Sequence, residues 1–221
     1  MPEEVLIPKM KRLDQTQKKV KFPINNFILV ILCTLLIICA TFVNIDLKHY
    51  IIPSGFSFGK DFARDEFIYS FSIIPQIPAL MFACSVLGKK LGITCALLYV
   101  FIGLFMFPVF ALGGGIIYVA EYSFGYIAAF VLGALIAGCF INKTYSLLNI
   151  LLGAIFGVLA IHVCGITYMC ILALIKGEGK IFIQSWIAAQ SGLKIIYDII
   201  LGFVGMLIGK YIHSFLKFLS D

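Results

Sequence analysis

Lys194 stands four positions before Asp198 inside the otherwise apolar run "LKIIYDIILGFVGMLIGKYI". On a helix that spacing puts both charges on one face, where they can pair. A charge at the centre of a membrane span costs about 2.5–3.5 kcal/mol on insertion scales, so a carboxylate here needs a reason. Either the two form an ion pair that lets the start of a helix insert, or they belong to a polar site at one end of a helix bundle. Gln76 lies between Pro75 and Pro78. Those prolines remove backbone donors and kink a helix, freeing carbonyls and leaving a concavity. A glutamine there can bridge helices or touch a ligand. His162 stands alone in its apolar run, with no second histidine or carboxylate at metal spacing. A packed imidazole donating to a backbone carbonyl is expected of it, rather than a metal ligand. The stretch "PVFALGGGIIYVAEYSFGY" carries three consecutive glycines, Gly113, Gly114 and Gly115, and a single acid, Glu121. Bare backbone of that kind can approach a ligand or fold back between helices. Trp186 and tyrosines near the ends of runs suit a membrane interface, and Tyr126 and Tyr197 also neighbour the polar residues.

The elements that would position these side chains follow from composition. Of 221 residues 62% are apolar and 13% charged, with a mean hydropathy of +1.06. A soluble domain is about half apolar and about a quarter charged, so the chain reads as a polytopic membrane protein. Each helical span takes about 20 apolar residues, and the runs are continuous rather than alternating, which excludes a β-barrel. The expected fold is all-α with six transmembrane helices. Residues 1–21 form a basic cytoplasmic segment and residues 22–221 the six-helix substrate-binding domain. The first span covers residues 27–43, and residues 46–66 are expected as a loop or interfacial piece. The second span is "FIYSFSIIPQIPALMFACSVLG", interrupted by its prolines, and the third "LGITCALLYVFIGLFMFPVFA". The fourth is "GYIAAFVLGALIAGCFI", the fifth "LLNILLGAIFGVLAIHVCGITYMCILALI", and the sixth contains Asp198.

Net charge is +6, with Lys and Arg gathered at the chain ends and in short loops. That distribution is a topology signal rather than a nucleic-acid footprint. With both termini inside, eleven Lys/Arg fall on the inner side and six on the outer, which favours cytoplasmic termini and puts the glycine loop outside. The first 21 residues hold six Lys/Arg and no short apolar core followed by a cleavage site, so no cleaved signal peptide is expected. The seven cysteines include no CxxC pair and read as small packing residues. Small residues recur every fourth position at Gly125, Ala129, Gly133 and Ala137, with further glycines in the fifth and sixth runs. Such stripes let helix backbones approach closely.

No HExxH, GxSxG or Cys/His pairing is present. "GMLIGKY" has a superficial likeness to a phosphate loop, but only three residues separate its glycines and Tyr211 replaces Ser or Thr. The chain is not expected to be an enzyme, to hold a metal or a cofactor, or to hydrolyse ATP itself.

Read together, the segments resemble BioY, the biotin-specific membrane subunit (S component) of energy-coupling factor transporters. The family has a Gln followed twelve residues later by a G-P-R-x-G turn; here Gln76 precedes "GKKLG". Its Y-x-x-x-G ending in P-V-F-A before a glycine-rich loop is matched by Tyr99, Gly103 and "PVFALGGG". Its G-P-T-G-G-Y stands as "EYSFGY", and its A-A-G…D-x-x-K as "AAQ…YDIIL". The resemblance implies a biotin-capture subunit in a bacterial-type plasma membrane. Its implied partners are membrane lipids, a transmembrane coupling subunit and two cytoplasmic ATPases, with ATP used only by those subunits. The implied substrate-binding set is Asp198, Lys194, Gln76, Phe110, Gly113, Gly114, Gly115, Glu121, Tyr126 and Tyr197. Asp198 would face the donors of the ureido ring. Leu201 stands where the family has a lysine, so Lys194, one turn earlier, is the candidate cation for the carboxylate. Glu121 stands where the family has glycine and would disfavour an anion unless it pairs with Lys194. A stand-alone secondary transporter or facilitator for biotin or a related vitamin is the alternative. A lipid-modifying membrane enzyme would need convergent acid/base groups, and only Asp198, Lys194 and His162 offer any.

Overall fold

The structure is a computed structural model that describes residues 24–50, 67–141 and 146–220; the expected basic segment at residues 1–21 and most of the expected loop at 46–66 lie outside these. Helix α1, Ile24–Thr41, buries Val30, Cys33, Thr34, Ile37 and Thr41 along one stripe. Its other face, with Phe27, Leu32 and Leu36, is exposed and equally apolar, as suits a helix bathed in lipid. Thr34 and Thr41 back-bond to carbonyls one turn earlier at 2.8 and 2.9 Å. The same hydroxyls reach Cys95 Sγ (3.3 Å) and Tyr99 OH (3.1 Å), joining α1 to its neighbour.

The first departure from an all-helical chain follows. Strands β1, Ile45–Tyr50, and β2, Ile68–Ile73, pair antiparallel with Ile45 opposite Ile73 and Tyr50 opposite Ile68. The second run was expected to be helical from residue 67. Its opening, "IYSFSI", instead alternates large and small side chains with the period of a strand. Across the pair His49 stacks on Phe71, with ring centroids 5.6 Å apart, and Ser72 donates to Asp46.

Helix α2, Gln76–Phe105, begins directly after Pro75. Pro78 falls in its first turn, where a missing N–H breaks no bond. The expected proline kink within a span is therefore absent; the prolines mark the helix start. The real break is at Gly88, whose φ of 75° and ψ of 177° are non-helical. Gln76 Nε2 lies 3.4 Å from Tyr99 OH, although an unbroken helix would separate the two residues by about 34 Å along its axis. Residues 76–87 and 89–105 thus run antiparallel as a helical hairpin. Gly92 lies so close to Cys84 that a Cβ on it would sit 3.1 Å from the cysteine Cα.

Beyond α2 the chain folds back on itself. Phe110 and Gly113 exchange both backbone hydrogen bonds (2.8 and 3.0 Å), and Gly115 N donates to Gly103 O at 2.8 Å. Gly113 and Gly115 have φ of 123° and 85°, a region that L side chains rarely adopt. A 3-10 turn at Ile116–Ala120 leads to helices α3, Phe124–Ala128, and α4, Phe130–Ile141. Helix α5, Leu147–Ile175, is capped by the Ser146 hydroxyl accepting from Asn149 N at 3.2 Å. Helices α6, Lys180–Ser191, and α7, Lys194–Ser220, complete the described chain.

The core forms where α2 packs on α1, α4 and α7, with α5 against α4 and α7. Glycines make these approaches possible. A Cβ at Gly133 would lie 2.6 Å from Ile161, and one at Gly209 2.7 Å from Ser85, so the small-residue stripes are helix contacts. All seven cysteines are free, with Cys33, Cys84 and Cys95 buried. Four helical stretches are long and apolar enough to cross a membrane, namely Gln76–Phe105, Phe124–Ile141, Leu147–Ile175 and Lys180–Phe218, and Asn26–Thr41 is a shorter apolar helix. The chain is mostly helical, with one small strand pair among the described residues.

Candidate functional site

One end of the bundle holds a cavity of about 190 Å³. The end of β2 and the start of α2 supply Ile73, Ile74, Gln76 and Ile77. The fold-back loop and the 3-10 turn add Ala111, Leu112, Tyr118 and Ser123. Tyr126, Ile127 and Phe130 come from α3 and α4, His162 from α5, Gln190 from α6, and Lys194 and Asp198 from the first two turns of α7. Segments far apart in sequence converge because the hairpin at Gly88 returns residue 105 to the level of residue 76, and the Phe110–Gly113 turn then sends the chain across the bundle end.

Asp198 is the most constrained group. It is 5% exposed. Its Oδ2 lies 3.1 Å from His162 Nε2, while Oδ1 is buried with no hydrogen-bond partner among the described residues. An unpaired buried carboxylate oxygen is costly, and one facing a cavity is an acceptor waiting for a donor. Lys194 lines the same space, with Nζ 3.2 Å from Gln190 Oε1. Gln76 donates to Tyr99 OH, which shares a contact with Thr41. Tyr118 OH lies 3.0 Å from Ser123 Oγ, and burial pushes the Tyr118 phenol above its ordinary value, keeping it a neutral donor. Tyr126 presents its ring edge-on to His162 at 5.7 Å. The arrangement offers one free carboxylate oxygen, one cation and several neutral donors and acceptors against apolar walls. That suits recognition of a compact, mostly apolar molecule with polar ends.

Of the ten residues that the sequence singles out, the structure brings Asp198, Lys194, Gln76 and Tyr126 into this cavity. Lys194 and Asp198 share a helix face as their spacing requires, but the side chain that hydrogen-bonds Asp198 is His162 rather than Lys194. Phe110 is 1% exposed and stands behind the wall, its ring 4.8 Å from that of Tyr118 and 5.5 Å from that of Tyr99. Gly113, Gly114 and Gly115 shape the fold-back loop without lining the space. At Gly114 a Cβ would fall 2.6 Å from Pro108 Cα. Glu121 is exposed and away from the cavity, and it has no contact with Lys194 that could offset an anion. Tyr197 points the other way, its hydroxyl bonding His49 on β1 and its ring 5.5 Å from Phe71. One turn of α7 thus splits its polar residues between two sides.

Sequence reasoning misplaced His162. Both its nitrogens bond side chains, Ser191 Oγ at 3.0 Å and Asp198 Oδ2 at 3.1 Å, not a backbone carbonyl. Its signal was its isolation in the apolar run, which reads equally as a packing site. Ser191 carried no sequence signal, and Gln190, Tyr118 and Ser123 lay within quoted segments without being singled out.

Three comparisons bear on what this cavity belongs to. A crystal structure of the S-component for biotin from an ECF-type ABC transporter superposes with a TM-score of 0.61. It covers 86% of this chain and 92% of that one at 20% identity, a likeness that speaks for the fold. A protein of Lysinibacillus sphaericus described as a probable biotin transporter BioY is 35% identical over 96 residues, which is 42% of this chain. The match spans about half that relative's length (49%). The sequence profile of the BioY family matches residues 12–218, through every element that builds the cavity: the chain belongs to the BioY family.

Proposed function

We propose that the chain captures biotin at the outer face of a bacterial-type plasma membrane, as the substrate-binding subunit of an ECF-type ABC transporter. The observation that carries this reading is that Asp198 lines the cavity with its Oδ1 buried and unpartnered among the described residues, and that Lys194 lines it one turn earlier on the same helix. Biotin has N–H donors on a ureido ring at one end, a carboxylate at the other and an apolar bicycle between. Asp198 Oδ1 accepts from the ureido N–H, Lys194 turns from Gln190 to the carboxylate, and Ile77, Phe130 and Tyr126 enclose the bicycle. Charge-assisted hydrogen bonds of this kind are shorter and stronger than neutral ones. The free volume is below the roughly 300–1,000 Å³ usual for small-molecule pockets, so the loop wall at Leu112, which is 73% exposed, gives way on binding.

Topology supports the same reading. If α1, residues 76–87, residues 89–105, residues 124–141, α5 and α7 each cross the bilayer, both termini lie on one side and the cavity end faces the other. Lys89 and Lys90 at the hairpin turn then fall on the inner side with Lys210 and Lys217, as the excess of cytoplasmic lysines requires. Helix α6 lies at the outer interface. The family resemblance supplies the partners, a transmembrane coupling subunit and two ATPases. Labelled biotin uptake in cells with and without those subunits tests the assignment. Uptake that depends on them is expected, and undiminished uptake in their absence would identify a stand-alone facilitator.

A further inference from the structure

The side chains behind Asp198 form a chain of contacts that crosses four helices. His162 Nε2 lies 3.1 Å from Asp198 Oδ2, His162 Nδ1 lies 3.0 Å from Ser191 Oγ, and Ser191 Oγ lies 2.6 Å from Tyr126 OH. These residues sit on α5, α7, α6 and α3 respectively for His162, Asp198, Ser191 and Tyr126, and His162, Asp198 and Ser191 are all buried. A carboxylate only accepts, so the hydrogen between the first pair is on Nε2. In a neutral imidazole Nδ1 then accepts from the Ser191 hydroxyl, whose oxygen accepts from the Tyr126 phenol. Every donor in the chain points toward Asp198.

From this geometry we infer that His162 is a positioning residue for substrate recognition, acting through Asp198. The inference rests on the biotin reading above. By holding Oδ2, His162 fixes the rotation of the carboxylate and leaves Oδ1 as the oxygen without a partner among the described residues, the one free to accept from a ligand. Ser191 fixes the imidazole tautomer in turn, the role that an orienting hydrogen bond on the second nitrogen commonly plays. Because Ser191 ends α6, the orientation of the acceptor depends on the seating of a helix that also adjoins the site through Gln190 and through Trp186, 5.9 Å from the Tyr126 ring.

The test is biotin titration of the full-length protein purified in detergent, with a folding control by thermal melting. His162→Leu is expected to weaken binding about tenfold, with Ser191→Ala intermediate. His162→Asn, which keeps a donor for Asp198 and an acceptor for Ser191, is expected to recover most of the loss. In an Asp198→Ala background His162→Leu should change affinity less than twofold, since the group it positions is gone. Equal losses with and without Asp198 would show a general packing effect and overturn the inference, as would wild-type affinity in His162→Leu. Should His162→Leu fail to fold, the same decision falls to Ser191→Ala and His162→Asn, and wild-type affinity in Ser191→Ala together with no binding by His162→Asn would count against it. If the wild-type protein binds no biotin, the biotin reading fails and the inference with it; if it binds and only the His162 results disagree, the inference alone fails.

Discussion

At Asp198 the two carboxylate oxygens have different fates, one held by His162 and one left to the cavity. Lys194 is half-buried nearby and occupied by the neutral amide oxygen of Gln190, and among the described residues no carboxylate forms a direct ion pair with it. A ligand carboxylate therefore gains the cation without displacing a carboxylate from it. Lys194→Leu should weaken biotin by about tenfold or more, equivalent to about 1.4 kcal/mol, and weaken the uncharged carboxamide of biotin much less. Isothermal titration of both ligands against both proteins measures the difference, and equal losses would place the ligand acid elsewhere. The sequence made Asp198 and Lys194 conspicuous because charges are rare in an apolar run. It could not say that Glu121, equally conspicuous, is exposed and does not line the cavity, nor that Tyr197 leaves the site for His49. The first outcome depends on the path of the loop between the 3-10 turn and α3, and the second on which way a helix face turns, since successive helix residues are about 100° apart.

Among the elements, the fold-back loop depends on a glycine in α2. The Phe110 ring lies over Gly103 so closely that a Cβ there would meet ring carbons at 2.1 and 2.2 Å. Gly103→Ala should destabilise by about 1–3 kcal/mol, the usual cost of overpacking, and pairing it with Phe110→Leu should restore much of the loss. Melting temperatures of the single and double variants decide this; additive losses would mean that the ring and the added methyl do not compete. The helices and their glycine contacts were legible because long apolar runs and regular small residues survive any ambiguity of boundary, and "GKKLG" marks the reversal at Gly88. The strand pair was not. "IYSFSI" runs without interruption into an apolar helix, and the change of period from alternating to helical occupies too few residues to stand out. The structure moves the helix start to Gln76, immediately after a proline that cannot serve an interior helix turn.

For the molecule as a whole, the cavity is made where the chain reaches one end of the bundle three times, at the start of α2, through the fold-back loop to α4, and from α5 through α6 to α7, so its lining is distributed from Ile73 to Asp198. No single motif encodes such a site; the residues that stood out by their chemistry, Asp198, Lys194, Gln76, Tyr126 and His162, line it, whereas Phe110 and the three glycines do not. Apolar side chains are exposed along α1, α5 and α7, while the buried polar residues His162, Ser191 and Asp198 gather at the cavity end. The central claim is that this end binds biotin through Asp198. The most direct test is a biotin titration of the purified protein beside its Asp198→Ala variant, with melting curves to show that both are folded. The account predicts saturable binding by the wild type and at least about tenfold weaker binding by the variant, about 1.4 kcal/mol. Unchanged affinity in a folded Asp198→Ala protein would contradict it.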